Sequence, residues 1–505
     1  MNGAPQRNGR AAVWVWCRIA GLALACLAPN IEAARRSHYF DNLGSEQGLA
    51  QNTVSALYQD RAGFVWIATQ GGLHRYDGYR FRIYDHDPNR PDSLPDSFVT
   101  AISEDDAGHL WIGTNANGVV RLDSATGAVA HVKSDERAPR PSLRATSIVA
   151  LRHEAGRGLW VGSREGIDLV DPATGRRTSV VRFEPEGLPL RPLRRFVDSG
   201  HGVLFAATSV GLFKIDRANA TAQRLRAPEL ASTLSAFVTR DGTLYAGTAD
   251  GLYRVDGDGT GARKLWPLAP SPTAVANVSD IAEDPAGRLW LAVRGAGVAI
   301  VDPHAGTSEW LHHQRDLPGS LPEEFTTTLM LDRSGLLWIG GETRGVATTK
   351  PGGGAFTWLV DLEPPRDRIN KNVVSAIFGD GDAIWLGTEG DGLKRYDRTR
   401  DRYEDFGDPL ARAFGAKAAL ADLRVYAIVP AGADRLWIGS SQGLVELDTK
   451  TRQATLVPVD GLTGPPSTAG EREVRALERA ADGSLWIGTR TLGLLRWRPD
   501  RHETQ

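Results

Sequence analysis

One phrase returns along the whole chain and constrains the fold more than any other feature. Gly63-Phe64-Val65-Trp66-Ile67-Ala68-Thr69 is followed by Gly72-Leu73-His74-Arg75-Tyr76-Asp77. Gly108-His109-Leu110-Trp111-Ile112-Gly113-Thr114 is likewise followed by Gly118-Val119-Val120-Arg121-Leu122-Asp123. The aromatic position recurs as Trp160, Phe205, Tyr245, Trp290, Trp338, Trp385, Trp437 and Trp486, so ten repeats stand 40 to 52 residues apart. That period suits one four-stranded propeller blade per repeat.

Each repeat reads as strands because apolar, β-branched and aromatic residues alternate with period 2. Strand A is a run ending near an acidic residue, as in Val54 to Asp60 or Val99 to Glu104. The Asp-x-x-Gly that often follows is turn chemistry, since Gly is free to take positive φ. Strand B carries the aromatic, strand C is Gly-Leu-x-Arg-x-Asp, and strand D is a looser run such as Arg80 to Tyr84. Propeller sheets pack face to face about 10 Å apart, a gap that a large ring fills, so these tryptophans are expected between blades. Pro409 to Leu423, rich in Ala and Leu, predicts a short helix in a blade connection.

Ten repeats exceed the usual four to eight blades of one ring. Strand C ends in Asp at Asp77, Asp123, Asp171, Asp216, Asp256, Asp302, Asp397 and Asp448, but the seventh repeat has Lys350 there, followed by Pro351-Gly352-Gly353-Gly354. The segment His38-Tyr39-Phe40 reads as a lone strand D able to close a first ring on the seventh blade, and the chain stops after strand C of repeat ten. The expected fold is therefore all-β: a seven-bladed β-propeller over 35–350, then three blades of an incomplete second propeller over 351–505. A single ten-bladed ring is the alternative.

Residues 1–34 read as a signal peptide. Arg7, Arg10 and Arg18 precede or flank the short apolar run Ile19 to Pro29, and Ala33 and Ala34 offer small residues near a cleavage point. A membrane anchor beginning near Ala11 is the alternative. Both cysteines, Cys17 and Cys26, fall in this leader, so a mature periplasmic chain would hold no thiol nucleophile or disulfide. The net charge of −2 offers no basic footprint for nucleic acid.

The opening Gly48-Leu49-Ala50-Gln51-Asn52-Thr53-Val54-Ser55-Ala56-Leu57-Tyr58-Gln59-Asp60, the repeated Leu-Trp-Ile-Gly-Thr and Gly-Leu-x-Arg-x-Asp phrases, and Asp92-Ser93-Leu94-Pro95-Asp96 with its echo Gly319-Ser320-Leu321-Pro322-Glu323 resemble the two-component regulator propeller family. The resemblance covers residues 38–498. It implies the periplasmic part of a bacterial membrane sensor, commonly two seven-bladed propellers and a small β-sandwich. A transmembrane helix then leads to a histidine kinase or diguanylate cyclase. It also implies a link to polysaccharide breakdown products. Against that pattern the chain lacks about four repeats, the sandwich, the helix and an output domain.

The expected role is ligand sensing, not catalysis, with a small-molecule or oligosaccharide ligand and no metal or cofactor. A propeller lyase or hydrolase acting on polysaccharide, and a protein-binding scaffold, are the rival readings. Gly439-Ser440-Ser441-Gln442-Gly443 matches a nucleophile elbow but falls in a strand B–C turn, where that motif needs a strand-to-helix turn. The B–C loops vary where the strands do not, and they share a face with the D–A loops. The ligand-binding residues expected there are Gln70, Asn115, Asn117, Arg164, Glu165, Arg294, Glu342 and Arg344, whose amides, guanidinium groups and carboxylates suit a polyhydroxylated or anionic sugar. Self-association through the uncovered sheets of the second unit is also expected.

Overall fold

In every repeat the second residue of strand A is skipped by the ladder, and this irregularity shapes the molecule. The computed structural model describes residues 38–131, 147–164, 166–174, 177–184, 193–199, 202–257, 259–266, 276–315, 317, 319–352, 373–400, 402–415, 423–462 and 472–505. The leader read at 1–34 lies outside them. Ten sheets are present among the described residues. They fall into two compact units, Ser37–Thr357 and Trp358–Gln505 with Met1–Arg36.

The first unit holds seven sheets, each running A-B-C-D. Their first strands are Val54–Gln59, Val99–Glu104, Ile148–Glu154, Leu193–Asp198, Thr233–Val238, Val278–Glu283 and Thr326–Leu331. In each, the A–B register slips between the first and third residue, leaving a bulge at Ser55, Thr100, Val149, Arg194, Leu234, Ser279 and Thr327. Where the bulge residue is Ser or Thr, its hydroxyl bonds the next sheet. Thr100 Oγ1 donates to the Ile148 carbonyl at 2.6 Å, Ser279 Oγ to Thr326 at 3.1 Å, and Ser55 Oγ to Val99. Thr327 Oγ1 donates to the Val54 carbonyl at 2.8 Å, so the seventh sheet joins the first and the unit is a closed ring.

Between sheets, small meets large. A Cβ added at Gly113 on strand B would come within 2.6 Å of Ile148 in the following sheet, which is why a glycine follows Trp-Ile here. In the first unit the strand B tryptophans are buried as expected: Trp66, Trp160 and Trp290 are 0% exposed and Trp111 is 1% exposed. Burial strips the indole N–H of water, so each needs an acceptor. A carboxylate six residues earlier provides it: Trp66 Nε1 donates to Asp60 at 2.7 Å, Trp111 to Asp105 at 3.0 Å, Trp160 to Glu154 at 2.7 Å, Trp290 to Asp284 at 3.1 Å and Trp338 to Asp332 at 2.9 Å. Most of these carboxylates also accept amides of the A–B turn, so one side chain serves both turn and core. The strand C aspartates act differently. Asp77 accepts the amides of Tyr79 and Arg80 at 2.8 Å, and Asp302 those of His304 and Ala305, closing C–D turns.

Lys350 stands where that aspartate is missing because the seventh sheet has no C–D hairpin. Its fourth strand is Asp41–Leu43, paired antiparallel with Val346–Thr348. This strand lies three residues beyond the His38-Tyr39-Phe40 expected for it. Phe40 instead is buried in the core between the sixth and seventh sheets and donates its amide to Gly319, so 38–40 anchor and 41–43 pair.

His38 sits beside that closure, edge-on to Trp290 with ring centroids 4.9 Å apart. Burial first, then the Arg288 guanidinium, lowers its pKa from 6.5 to about 4. Above pH 6.5 the imidazole is neutral in both folded and unfolded chain. Between pH 6.5 and about 4 the unfolded chain takes up a proton that the folded one refuses, so stability should fall across that window and level off below it. In melting-temperature measurements against pH, His38→Phe is expected to flatten that slope. An unchanged slope would place its origin elsewhere.

The fourth sheet gains a fifth strand, Arg182–Glu184, parallel to Thr221–Arg224, which the repeat pattern did not announce. The second unit has three sheets, starting at Val374, Val425 and Val474. The tenth sheet is completed by Glu503–Thr504, so the chain does not stop at strand C. The connecting helix is Gly407–Ala413, beginning two residues before the Pro409 expected for it, and residues 416–422 of the expected stretch lie outside the described ones. Ile377 and Leu494 of this unit are 71% and 65% exposed, leaving apolar sheet surface open. Among the described residues no helix is long and apolar enough to cross a membrane.

Candidate functional site

The seven bulges face one axis. A cavity of about 660 Å³ runs there, lined by strand A residues from all seven sheets of the first unit, and all seven bulge residues border it. Their side chains set its chemistry, because the strand A side chains on the core face pack against neighbouring sheets.

At one end the B–C and D–A connections meet, as expected from strand order. A repeated bond shows it: Asn115 N donates to the Phe98 carbonyl, Arg294 N to Asn277, and Glu342 N to Phe325. Arg294 and Glu342 come together here, with Nε to Oε1 at 2.6 Å across the sixth and seventh sheets, and both line the cavity with Asn277. Gln70, Asn115, Asn117, Arg164 and Arg344 do not line it. Gln70, Arg164 and Arg344 are exposed on B–C turns, and Asn115 is half-buried. Asn117 Nδ2 donates to the Pro95 carbonyl at 2.9 Å, tying its turn to the D–A connection. Glu165 lies outside the described residues. The elbow-like Ser440, in the second unit, is fully buried and donates to the Gly443 carbonyl at 2.9 Å, closing a B–C turn.

Deeper in the channel, Asp280 is 1% exposed and held by Thr328 Oγ1 and the Leu329 amide, both at 2.9 Å. Arg195 of the fourth sheet pairs with it across the fifth, binding three sheets together. Toward the A–B end, Tyr58 donates to Glu104 at 3.4 Å. Burial, then the Glu104 carboxylate, pushes the Tyr58 hydroxyl up to about 12, so it stays a neutral donor. Arg152 pairs with Asp198 at 2.7 Å, and Arg217 bonds Glu154 at 3.0 Å. Among the described residues no cluster of His, Cys, Asp and Glu has metal-ligating geometry.

Reading only the loops missed Arg194, Arg195, Asp280, Ser279 and Tyr58. Their signal was present in strand A: Leu193-Arg194-Arg195-Phe196 and Val278-Ser279-Asp280-Ile281 put charges where the first, second and eighth repeats have Ser-Ala or Thr-Ala.

Fold and channel define an all-β propeller with an axial cavity. The family model described as two component regulator propeller matches residues 48–71 and 93–116, so the chain carries repeats of that type. A stretch of 68 residues is 32% identical to Histidine kinase P4 of Formosa agariphila, covering 14% of this chain and 5% of that protein. Among solved structures, the extracellular domain of a hybrid two component system from B. thetaiotaomicron aligns with a TM-score of 0.68 at 21% identity, over 92% of this chain and 66% of that one. A second such extracellular domain from the same organism aligns at 0.53 and 16% identity, over 93% of this chain and 67% of that one. The chain thus spans about two thirds of these extracellular domains and a small part of the kinase.

Proposed function

We propose that the protein is the ligand-recognising ectodomain of a bacterial two-component or cyclic-di-GMP receptor, exported to the periplasm through its N-terminal leader. In this reading it binds a carbohydrate-type ligand in the channel of the first ring and performs no chemistry on it. The observation that carries this is the cavity itself: about 660 Å³, lined from seven sheets by hydroxyls, amides and paired charges. That size and mixture suit a short polyhydroxylated ligand held by directed hydrogen bonds. The likeness in fold to extracellular domains of two component systems supports the role.

A thermal-shift screen of plant and bacterial oligosaccharides on the full chain tests it. A ligand at a hundred times its Kd should add about 2.7 kcal/mol of stability, a shift of several degrees. The saccharide should be recovered intact. Release of new reducing or unsaturated ends would instead favour the lyase or hydrolase reading.

A further inference from the structure

We infer that Arg194 makes the B–C end of the channel a carboxylate site, so that the ligand is an acidic saccharide. This rests on the ectodomain reading above and narrows it.

The bulge position is a structural post. In four of the seven sheets it is Ser or Thr, and its hydroxyl bonds the next sheet's carbonyl. Arg194 occupies that post in the fourth sheet and makes no such bond. It is exposed and lines the cavity, and among the described residues no carboxylate pairs with it and no acceptor takes its guanidinium protons. The other channel arginines are engaged: Arg195 with Asp280, Arg294 with Glu342, Arg152 with Asp198. One cation is therefore left over in the channel, at a position where packing does not call for it.

Its neighbours at the same level divide the wall. Val149 and Leu234, the bulge residues of the third and fifth sheets, flank it. Ser55, Thr100, Ser279 and Thr327 come from the other four sheets. Their hydroxyl protons go to backbone carbonyls, which leaves oxygen lone pairs to accept from a ligand's O–H groups. A pyranose with one carboxylate matches this division. Its carboxylate takes a bidentate guanidinium, its C–H face lies on the aliphatic pair, and its hydroxyls donate to the Ser/Thr wall. A neutral sugar would leave the guanidinium unmatched.

Titration calorimetry on the full chain with galacturonate, glucuronate and mannuronate oligomers, each beside its neutral counterpart, tests the assignment. An acidic oligomer should bind and its neutral counterpart should bind at least tenfold more weakly. Arg194→Gln should weaken the acidic ligand by roughly 10- to 100-fold, Arg194→Lys by less, and neither should change the melting temperature of the free protein. Equal binding of a neutral oligomer, or acidic binding untouched by Arg194→Gln, would overturn the Arg194 assignment and leave the ectodomain reading standing. Binding of neither kind would overturn the Arg194 assignment, and together with the absence of any stabilising saccharide in the thermal-shift screen it would overturn the ectodomain reading too.

Discussion

Replacing Trp111 by alanine is expected to destabilise the protein by about 3–5 kcal/mol, the cost of emptying a tightly packed aromatic site. Trp111 belongs to the second sheet, but its core partners include Ile148, Leu151, Leu159 and Val161 of the third. The substitution therefore opens a cavity between two blades and leaves the Asp105 carboxylate without its indole donor. Urea unfolding of the full chain would show the loss as a lowered midpoint of the transition that includes the ring. The same substitution at Trp486 serves as internal contrast. That ring holds the equivalent repeat position but is 37% exposed, so Trp486→Ala should cost under about 2 kcal/mol. A Trp111→Ala midpoint indistinguishable from wild type would mean that the ring is not blade core.

Asp284→Ala is expected to cost about 2–4 kcal/mol, because a buried carboxylate is removed and its donors, among them a buried indole N–H, lose their acceptor. Asp284 accepts four donors: the amides of Ala286 and Arg288 at 2.9 and 3.0 Å, Arg288 Nε at 2.8 Å and Trp290 Nε1 at 3.1 Å. Alanine strands all four. The chain also contains its own alternative solution. Where strand B carries Phe205 or Tyr245, which have no ring N–H, the acid six residues earlier is replaced by Ser199 or Thr239. A double substitution, Asp284→Ser with Trp290→Phe, should consequently lose less than the sum of its parts, by an interaction of about 1 kcal/mol or more in a double-mutant cycle. Strict additivity would show that indole and carboxylate are not coupled.

These two cases show which parts of the architecture the sequence carried. The repeat phrase made the blade legible because its aromatic returns ten times, its turn aspartate eight times, and a glycine or alanine follows every aromatic two residues on. The closing strand was legible in kind but not in register. Asp41 and Asn42 are polar and exposed, so a three-residue edge strand leaves no alternating pattern, whereas the buried anchor Phe40 stands out. Arg182–Glu184 and Glu503–Thr504 escaped because strands of two or three residues are too short to show an alternating pattern. Loop variability picked out Arg294 and Glu342, whose side chains meet at the end of the channel, and Gln70, Asn117 and Arg164, which lie on B–C turns outside the cavity lining. Arg194 is not legible because period-2 alternation does not mark a bulge, and the bulge turns this second residue of strand A toward the axis. Asp280, the next position in its own strand, is ladder-paired and buried, so its place is set by Arg195 and Thr328 of other sheets.

The most direct measurement is a crystal structure of the full chain with a bound oligosaccharide found in the thermal-shift screen. Density for the saccharide is expected on the axis of the first ring, between Arg194, Ser279 and the Arg294–Glu342 pair, with the seven sheets unmoved. Density confined to the sheets of residues 373–505, with the ring's channel empty, would contradict the account.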